Sequence, residues 1–297
     1  MPPEPFASTL WPLTPGTFIP PPSTRGERPR LSLVMPSRNH GRFIEAAIRS
    51  VLLQAHAAVE LIVMDAGSTD GTREVLDRYR PWLGTAISEP DGGPADALNR
   101  GFRLAQGDVL GFLNADDFLL PGSLDTVVRW FDEHPDVDVV SGHGYMARVS
   151  GELGPPVVSD RWDRGRFVRG ACVLFQPATF FRRRCFEHAG GFSTRRQQTW
   201  DMDLWATMAE SGAVFATLEA ALAVHRLHPD SITGSSELRR ARRDDARMIR
   251  ERLLGRQEVL RDRALAWWHR ARKFSQHPGR TLSQRVFCYS TLGRWTL

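Results

Sequence analysis

The stretch GFLNADDFLLPGSL, residues 111–124, sets two neighbouring acids, Asp116 and Asp117, at the end of a run of apolar residues. The apolar run has the composition of a buried strand, so the pair is expected at a strand end. Like carboxylates in one place repel, which predicts a positive group beside them. A helix-capping role is disfavoured because Pro121 and Gly122 separate the acids from the next helical segment.

The chain around this stretch alternates between predicted strands and predicted helices. Short apolar segments predict strands at residues 31–36, 59–65, 85–90 and 108–117. Apolar residues at helical spacing follow them in GRFIEAAIRSVLLQ, TREVLDRYR, PADALNRGFRLAQ and SLDTVVRWFDEH. This alternation predicts an α/β fold with a mostly parallel sheet and helices on both of its faces.

Polar residues come directly after each of these strands, in PSRN, DAGSTD, EPDGG and NADD. The carboxyl ends of parallel strands line the ligand crevice, so four polar strand ends predict a binding site. Neither GxxxxGK[ST] nor GxGxxG follows the first strand, which disfavours P-loop hydrolases and dinucleotide oxidoreductases. The acid pair therefore predicts Mg²⁺ or Mn²⁺ that neutralises substrate phosphates, with a nucleoside diphosphate as leaving group.

The composition of the 297 residues, 41% apolar and 25% charged, is ordinary for a globular protein. Three cysteines without a CxxC pair favour a reduced, cytosolic compartment and no zinc site. Residues 236–297 hold 16 basic and 6 acidic residues, which leaves residues 1–235 at a net charge of −5. Because the basic character belongs to the tail, no nucleic-acid partner is expected.

The two ends of the chain differ from this alternating body. Residues 1–30 are proline-rich and predicted to be irregular. A long helix is predicted from Glu237 to His269, with one apolar stripe that ends at Trp267 beside Trp268. This basic helix suits an anionic membrane surface, with tryptophans at the headgroup level. It suits equally a helix packed on the catalytic domain with its basic face in solvent.

The chain resembles the inverting family 2 glycosyltransferases with the GT-A (Rossmann-like) fold. The resemblance is carried, in order, by LVMPSRNHGRFIEAAIRSVLLQ, LIVMDAGSTDGT, ISEPDGGPADALNRGFRLAQGDVLGFLNADD, QPATFFRR, WDMDLW and RLHPDSIT. It implies a catalytic domain over residues 31–235, with a nucleotide-sugar half (31–125) and an acceptor half (126–235). The proline-rich extension (1–30) and a basic helical tail (236–297) lie outside it.

The resemblance also implies roles for individual residues. NADD is similar to the DXD motif of the family, with Asp116 toward ribose and metal and Asp117 toward metal. His228 is implied as a further metal or diphosphate ligand, with His225 as its competitor. The residues implied to bind the nucleotide sugar are Pro36, Ser37, Asn39, Asp65, Asp91, Asp96, Asn99, Asn114 and Asp116. Many relatives carry an acid where Asn114 and Ala66 stand, and this departure bears on base identity and metal strength.

The general base is expected on the acceptor side, in WDMDLW. Asp201 and Asp203 are two residues apart, so on a helix they diverge by about 200° and cannot share one face. Similarity to an ED-like motif of the family favours Asp201 as the base and Asp203 as second choice, while an ordinary N-cap is the alternative for Asp201. Gln176 and Trp200 are implied on the acceptor side, although Gln176 could simply end a strand.

The resemblance implies transfer of a sugar from a UDP- or GDP-linked donor to a hydroxyl of a glycan or lipid-linked glycan, as in polysaccharide assembly. The implied location is cytoplasmic, and peripheral at the inner face of the plasma membrane if the tail binds anionic lipid. Two alternatives stay open. One is a nucleotidyltransferase, for which PSRNHGRF is a poor match to a phosphate-binding loop, and the other is a non-catalytic scaffold for glycan or membrane.

Overall fold

The computed structural model of the chain describes residues 30–54, 59–195, 198–229, 231, 239–276 and 278–292. Almost all of the predicted proline-rich extension, and the predicted boundary at 235/236, lie outside these ranges. Within them, nine strands form a single sheet in the order β3-β2-β1-β4-β8-β6-β9-β5, with β7 beside β6. The strands are β1 Leu31–Ser37, β2 Val59–Asp65, β3 Thr85–Ser88, β4 Val109–Phe112, β5 Phe118–Leu119, β6 Val139–Ala147, β7 Leu153–Val157, β8 Thr179–Arg182 and β9 Phe215–Arg226.

Helices cover both faces of this sheet, as predicted. Two 3₁₀ turns, Arg80–Trp82 and Gln176–Ala178, supplement them. The helices are α1 Ile44–Leu52, α2 Thr72–Tyr79, α3 Pro94–Leu104, α4 Ser123–Glu133, α5 Arg164–Val168, α6 Arg183–His188, α7 Trp200–Glu210, α8 Arg239–Leu254, α9 Leu260–Gln276 and α10 Pro278–Leu292.

The first four strands form the parallel half of the sheet. β1 pairs with β2 along its full length, so the strand runs one residue beyond the predicted stop at Pro36. On its other side β1 pairs with β4 only as far as Val34. Pro36 therefore lies beyond the β4 ladder, where its missing N–H costs no hydrogen bond on that side.

The second half of the sheet is mixed in direction. β8 is antiparallel to both β4 and β6, whereas β9 runs parallel to β6. β5 is antiparallel to β9, with Phe118 opposite Val224. This short pairing sets the residues that precede β5 beside those that end β9, and thereby positions the site. The α/β fold with a flanked central sheet is confirmed, and the parallel pairing is concentrated in its first half.

Two hydrophobic cores lie on opposite faces of the sheet. Successive residues of a strand point to opposite faces, and accordingly Leu33 and Leu61 pack under α1, α2 and α4, whereas Val34, Ile62 and Leu110 pack under α3 and α7. The sheet is thus covered on both sides, and its polar carboxyl ends remain for the crevice.

The C-terminal helical extension is confirmed, but it is not the single long helix that the sequence predicts. α8 ends at Leu254 and α9 starts at Leu260. Gly255, between them, has a φ of +67°, the left-handed conformation that ends helices and that glycine adopts without strain. A third helix, α10, follows. Within the described ranges, no helix combines the length and the hydropathy that crossing a bilayer requires.

Candidate active site

The predicted strand-end residues lie where the sheet topology requires, at the carboxyl ends of β1 to β4. Asp65, at the end of β2, is buried and accepts hydrogen bonds from the Ser68 backbone N–H (2.9 Å), from the Ser68 hydroxyl and from the Ser88 hydroxyl (2.6 Å). Its carboxylate therefore joins the ends of β2 and β3 and shapes the crevice wall. Contact with a nucleotide base stays a prediction for this residue.

Asn39 joins the loops that follow β1 and β2. It has a φ of +55°, and its backbone N–H donates to the Ser68 hydroxyl at 2.7 Å. Its side-chain oxygen accepts the backbone N–H of Thr69 at 3.0 Å. The nearby Ser37 hydroxyl is buried and has no hydrogen-bond partner among the described residues. An asparagine tolerates the left-handed conformation, which explains this residue type at the bend.

Three predicted nucleotide-sugar residues belong to the loop and helix that follow β3. Asp91 accepts the Gly93 N–H at 2.8 Å, and burial raises the pKa of the Asp91 carboxyl. Asp96 forms an ion pair with Arg100 at 2.9 Å. The Asn99 side chain donates an N–H to the Phe192 carbonyl at 2.8 Å, and its amide oxygen accepts the Phe192 backbone N–H at 2.9 Å. The structure thus gives Asp96 and Asn99 partners within the protein, and their role toward nucleotide stays a prediction.

Asp117 is fully buried and is bonded to the end of β9. Its Oδ1 accepts the backbone N–H of Arg226 at 2.9 Å and is hydrogen-bonded to Nδ1 of His225 at 3.0 Å. Burial lowers the pKa of His225, but the charge and hydrogen bond of Asp117, with the charge of Asp116, outweigh burial and raise it to about 9. The imidazole is therefore a cation at neutral pH, and donates to Asp117.

Asp116 has a different histidine partner. Nε2 of His228 lies 2.9 Å from its Oδ2, and both side chains are buried. Burial raises the pKa of Asp116, but the His228 hydrogen bond and the charges of His40 and His225 outweigh burial and hold the pKa below its usual value. Each acid thus has one histidine partner, and a role of either histidine toward metal or diphosphate stays a prediction.

Arg226 is a further basic residue beside the two acids. Its side chain is 1% exposed, and its guanidinium carbon lies 5.0 Å from the ring centre of Phe43 and 5.2 Å from that of Phe118. Burial lowers the pKa of Arg226, although Asp117 and Asp116 act in the opposite direction. Its Nε and Nη2 atoms, like Oδ2 of Asp117, are buried without a hydrogen-bond partner in the described part of the chain. A buried polar atom without a hydrogen-bond partner is costly, so these three atoms are candidates for contact with a ligand.

Asn114 and Gln176 connect the loop after β4 with the 3₁₀ turn before β8. The Asn114 amide donates to Oε1 of Gln176 at 3.1 Å, and Nε2 of Gln176 donates to the Phe112 carbonyl at 3.3 Å. Both side chains are only partly buried. Gln176 begins a 3₁₀ turn and does not end a strand. Through Asn114 it contacts the loop that carries Asp116 and Asp117.

Asp201 lies in the first turn of α7, where burial raises the pKa of its carboxyl. The N-cap residue is Thr199, so the alternative of Asp201 as N-cap does not hold. The Asp201 carboxylate accepts the backbone N–H of Met202 at 2.8 Å. The Trp200 ring before it is buried against Phe112, at 5.1 Å between ring centres, which is a packing position rather than an open face.

Asp203 points to the C-terminal helices. Its Oδ1 lies 2.9 Å from Nη1 of Arg252 on α8, and the side chain is buried. The two acids of α7 thus have different surroundings, as their spacing predicts. The Asp203 carboxylate is thus engaged with Arg252, which leaves Asp201 as the stronger candidate base.

The carboxylate oxygens of Asp116 and Asp117 could supply part of the coordination of a hard divalent cation. Oδ2 of Asp117 and the adjoining Asp116 carboxylate are the oxygen ligands that Mg²⁺ or Mn²⁺ prefers. No three acidic, histidine or cysteine side chains of the described residues form a metal cage of their own. That is the expected arrangement where one or two carboxylates share the cation with substrate phosphates.

Sequence reasoning missed Arg226 and Phe43, and left His225 as a mere competitor. The expected positive partner of the acids is, in this structure, supplied by the end of β9. The signal in the sequence is VHRLH, a cluster of three cationic residues at the end of an apolar strand. Only the pairing of β5 with β9 shows which acids those residues meet.

Residues 32–186, more than half of the chain, match the family model described as glycosyl transferase family 2. An uncharacterized glycosyltransferase of the cyanobacterium Nostoc is 27% identical over 67% of this chain and 65% of its own length. A PGL/p-HBAD biosynthesis glycosyltransferase of Mycobacterium bovis is 32% identical over 59% of this chain and 68% of its own. The chain thus spans about two thirds of these relatives.

Solved structures share the fold. S. aureus TarS in complex with UDP-GlcNAc aligns with a TM-score of 0.63 and 18% identity over 83% of this chain and 73% of that one. The mannosyltransferase PcManGT of Pyrobaculum calidifontis, in complex with GDP-Man and Mn²⁺, aligns with a TM-score of 0.58 and 21% identity, over 88% and 73%. At these identities the likeness shows the GT-A fold.

Proposed function

The chain belongs to glycosyl transferase family 2, and from that premise we propose that it transfers a sugar from a UDP- or GDP-linked donor to an acceptor hydroxyl, with inversion at the anomeric carbon. The observation that carries the proposal is the cluster of Asp116, Asp117 and Arg226. Two carboxylates lie at the carboxyl ends of the sheet strands beside a buried guanidinium, whose Nε and Nη2 have no hydrogen-bond partner among the described residues. This is the crevice in which α/β sheets bind ligands.

A diphosphate suits both signs of charge in this cluster. The Arg226 N–H groups can donate to phosphate oxygens, which removes the cost of leaving them buried and unpaired. Asp116 and Asp117 would hold Mg²⁺ or Mn²⁺ when it is bound, and the cation would supply charge neutralisation of the diphosphate. His228 would be a further ligand only if it exchanged its Asp116 partner, since Nε2 now contacts that carboxylate.

Asp201 is proposed as the general base. It would take the proton of the acceptor hydroxyl while that oxygen forms a bond to C1 of the donor sugar. The bond from C1 to the diphosphate oxygen breaks on the opposite face, and the electron pair leaves with the diphosphate. A carboxyl whose pKa is raised by burial is a better proton acceptor than an ordinary one, which supports Asp201 in this role.

The acceptor class is proposed from chemistry and from the names of relatives. One relative carries the name PGL/p-HBAD biosynthesis glycosyltransferase, and another that of a putative teichuronic acid biosynthesis glycosyltransferase, TuaG of Bacillus subtilis. We infer for this chain a hydroxyl of a glycan or lipid-linked glycan, in polysaccharide assembly. A lipid-linked acceptor would place the enzyme at the inner face of the plasma membrane.

The test is release of nucleoside diphosphate by the full chain from UDP-glucose, UDP-GlcNAc and GDP-mannose, with Mg²⁺, with Mn²⁺ and with chelator. Release from at least one donor, lost in Asp117→Asn and slowed by chelator, is expected. Arg129→Gln, an exposed change on α4, is the matched control and should leave release intact. No release from any donor would favour the scaffold, and pyrophosphate formation from sugar phosphate and nucleotide would favour the nucleotidyltransferase.

A further inference from the structure

Helix α9 is held on the domain by one face only. Asp262 and Ala266 of this face are buried. Lys273 forms an ion pair with Asp160 at 2.8 Å, and Arg270 donates to the Gly170 carbonyl at 2.9 Å. These contacts fix the orientation of the helix, so the direction in which its opposite face points is a property of the fold.

The opposite face of α9 is an apolar stripe in solvent. Leu260 is 82% exposed, Trp267 71% and Phe274 45%. With Ala264 and Ala271 they follow the spacing i, i+4, i+7, i+11 and i+14, which is a band about 80° wide at 100° per residue. We call these five residues the α9 stripe. A surface helix of a globular domain normally turns such a band to the core, and this one turns it outward.

The two parts of the predicted continuous stripe differ in burial. Its first part, on α8, packs into the domain, where Ile249 is fully buried and Leu253 lies against the same core. Its second part becomes the exposed α9 stripe, because the chain turns at Gly255. The sequence left open whether this segment packs on the domain or contacts a membrane. In the structure α8 packs on the domain, whereas α9 leaves its apolar stripe exposed for contact with a membrane.

Arginines border the α9 stripe on both sides. Arg263 and Arg270 lie on one flank and Arg261 and Arg272 on the other, all within about 120° of its centre at 100° per residue. The one acidic residue in the sequence from 259 to 292 is Asp262, which is buried and bonded to Arg256. No exposed carboxylate on α9 or α10 would therefore repel a phosphate surface.

The following helix has a similar exposed series. Leu282 is 57% exposed, Val286 51% and Tyr289 47%, at i, i+4 and i+7. The opposite face of α10 buries Phe287 and Cys288 against the domain. Both helices after α8 thus bury one side and expose apolar side chains on the other, with Arg285 beside the second series.

We propose that α9, with α10 beside it, docks the catalytic domain on an anionic membrane surface. An exposed apolar band with tryptophan, bordered by arginines and free of acids, matches a helix that lies at the headgroup level. The stripe would enter the interface, while the guanidinium groups of Arg261 and Arg272 contact lipid phosphates. The inference stands on exposure and charge, and does not depend on the proposed sugar transfer.

Vesicle flotation of the full chain tests this, with phosphatidylcholine vesicles alone and with roughly 30% phosphatidylglycerol. Binding to the anionic vesicles only is expected, and it should weaken in roughly 0.5 M NaCl because salt screens the arginines. The double variant Trp267→Ser/Phe274→Ser should bind at least about tenfold more weakly, since it removes both aromatic rings of the stripe.

The matched control is Leu104→Ser/Val214→Ser, which removes two exposed apolar side chains from the catalytic domain. It should float like the unaltered chain, and circular dichroism should show both double variants folded. Equal flotation of the stripe variant and the unaltered chain, or no flotation of the unaltered chain, would overturn the proposal. The proposal would also be overturned if light scattering showed a dimer for the unaltered chain and a monomer for the stripe variant, with no vesicle binding by either protein. Nucleoside diphosphate release, measured without vesicles, separates this failure from a failure of the catalytic proposal.

Discussion

Nη1 of Arg252 on α8 lies 2.9 Å from Oδ1 of Asp203 on α7, so the C-terminal extension is joined to the helix that carries Asp201. Arg252 also contacts Glu210 and the Thr207 hydroxyl, at 3.3 and 3.2 Å. One guanidinium therefore spans more than one turn of α7. The extension thus packs on α7 and supplies the partner of one of its two acids.

Replacing this arginine should destabilise the fold. Arg252→Met leaves the buried Asp203 carboxylate without its cation, and a loss of about 1–3 kcal/mol in the free energy of unfolding is expected because the arginine itself is partly exposed. Urea denaturation measures it. Arg129→Met breaks an exposed pair on α4 and should cost no more than about 0.5 kcal/mol. Equal effects of the two changes would contradict the role given to Asp203.

Substitutions of the two acids of α7 should have different effects on turnover and stability. Asp201→Asn removes the proposed base and should lower kcat about 10²- to 10⁴-fold, with little change in nucleotide affinity. Asp203→Asn keeps the base and should mainly lower stability, because it removes the charge paired with Arg252. Initial-rate kinetics and thermal melts of both variants decide. A larger loss of kcat in Asp203→Asn than in Asp201→Asn would exchange the two roles.

The pH dependence of turnover should reflect Asp201, the proposed base. Burial raises the pKa of its carboxyl, and a general base acts only when deprotonated. The rate should therefore fall as pH decreases through this raised pKa, above the value of about 3.9 of an ordinary aspartate. A pH profile of kcat/KM measures it, with ellipticity followed over the same range to exclude unfolding. An acidic limb at or below the ordinary value would count against Asp201 as the base.

Arg226 should control affinity for the diphosphate. Arg226→Met removes the buried N–H groups and should weaken binding of UDP or GDP about 10- to 100-fold, because hydrogen bonds to charged groups contribute about 1.5–3 kcal/mol. Titration calorimetry measures the affinity. Arg226→Lys keeps the charge and should retain part of the binding, and a melt of each variant checks folding. Unchanged affinity in a folded Arg226→Met protein would show that the diphosphate does not bind at Arg226.

Glycine at position 111 is required by packing. A Cβ there would lie 2.6 Å from the ring of Phe180 on the neighbouring strand, in a filled core. Gly111→Ala should therefore cost about 1–3 kcal/mol in the free energy of unfolding. At Gly279, on α10, a Cβ would meet no other part of the described chain within 4 Å, so Gly279→Ala should be neutral or stabilising by up to about 1 kcal/mol. Denaturant titration compares the two, and the same sign for both would refute the packing argument.

The sequence by itself determined the first half of the fold. Apolar periods of two and of 3.6 residues are local, so the strands β1 to β3 and the helices between β1 and β4 could be predicted close to their observed bounds. The fourth strand, predicted over residues 108–117, ends at Phe112, so the acid pair follows it by four residues. The acids at the strand ends could be predicted too, because parallel strands bring their carboxyl ends to one edge. Pro36, predicted to stop β1, lies within it because β4 does not extend that far.

Only the tertiary structure decided what the acids and the apolar stripe meet. Asp117 and Arg226 are 109 residues apart, and the antiparallel pairing of β5 with β9 brings them together. The stripe continues at one spacing across Gly255, yet Ile249 is buried and Trp267 exposed. The physical reason is the same in both cases: periodicity fixes which side chains share a face, whereas long-range packing fixes what lies against that face.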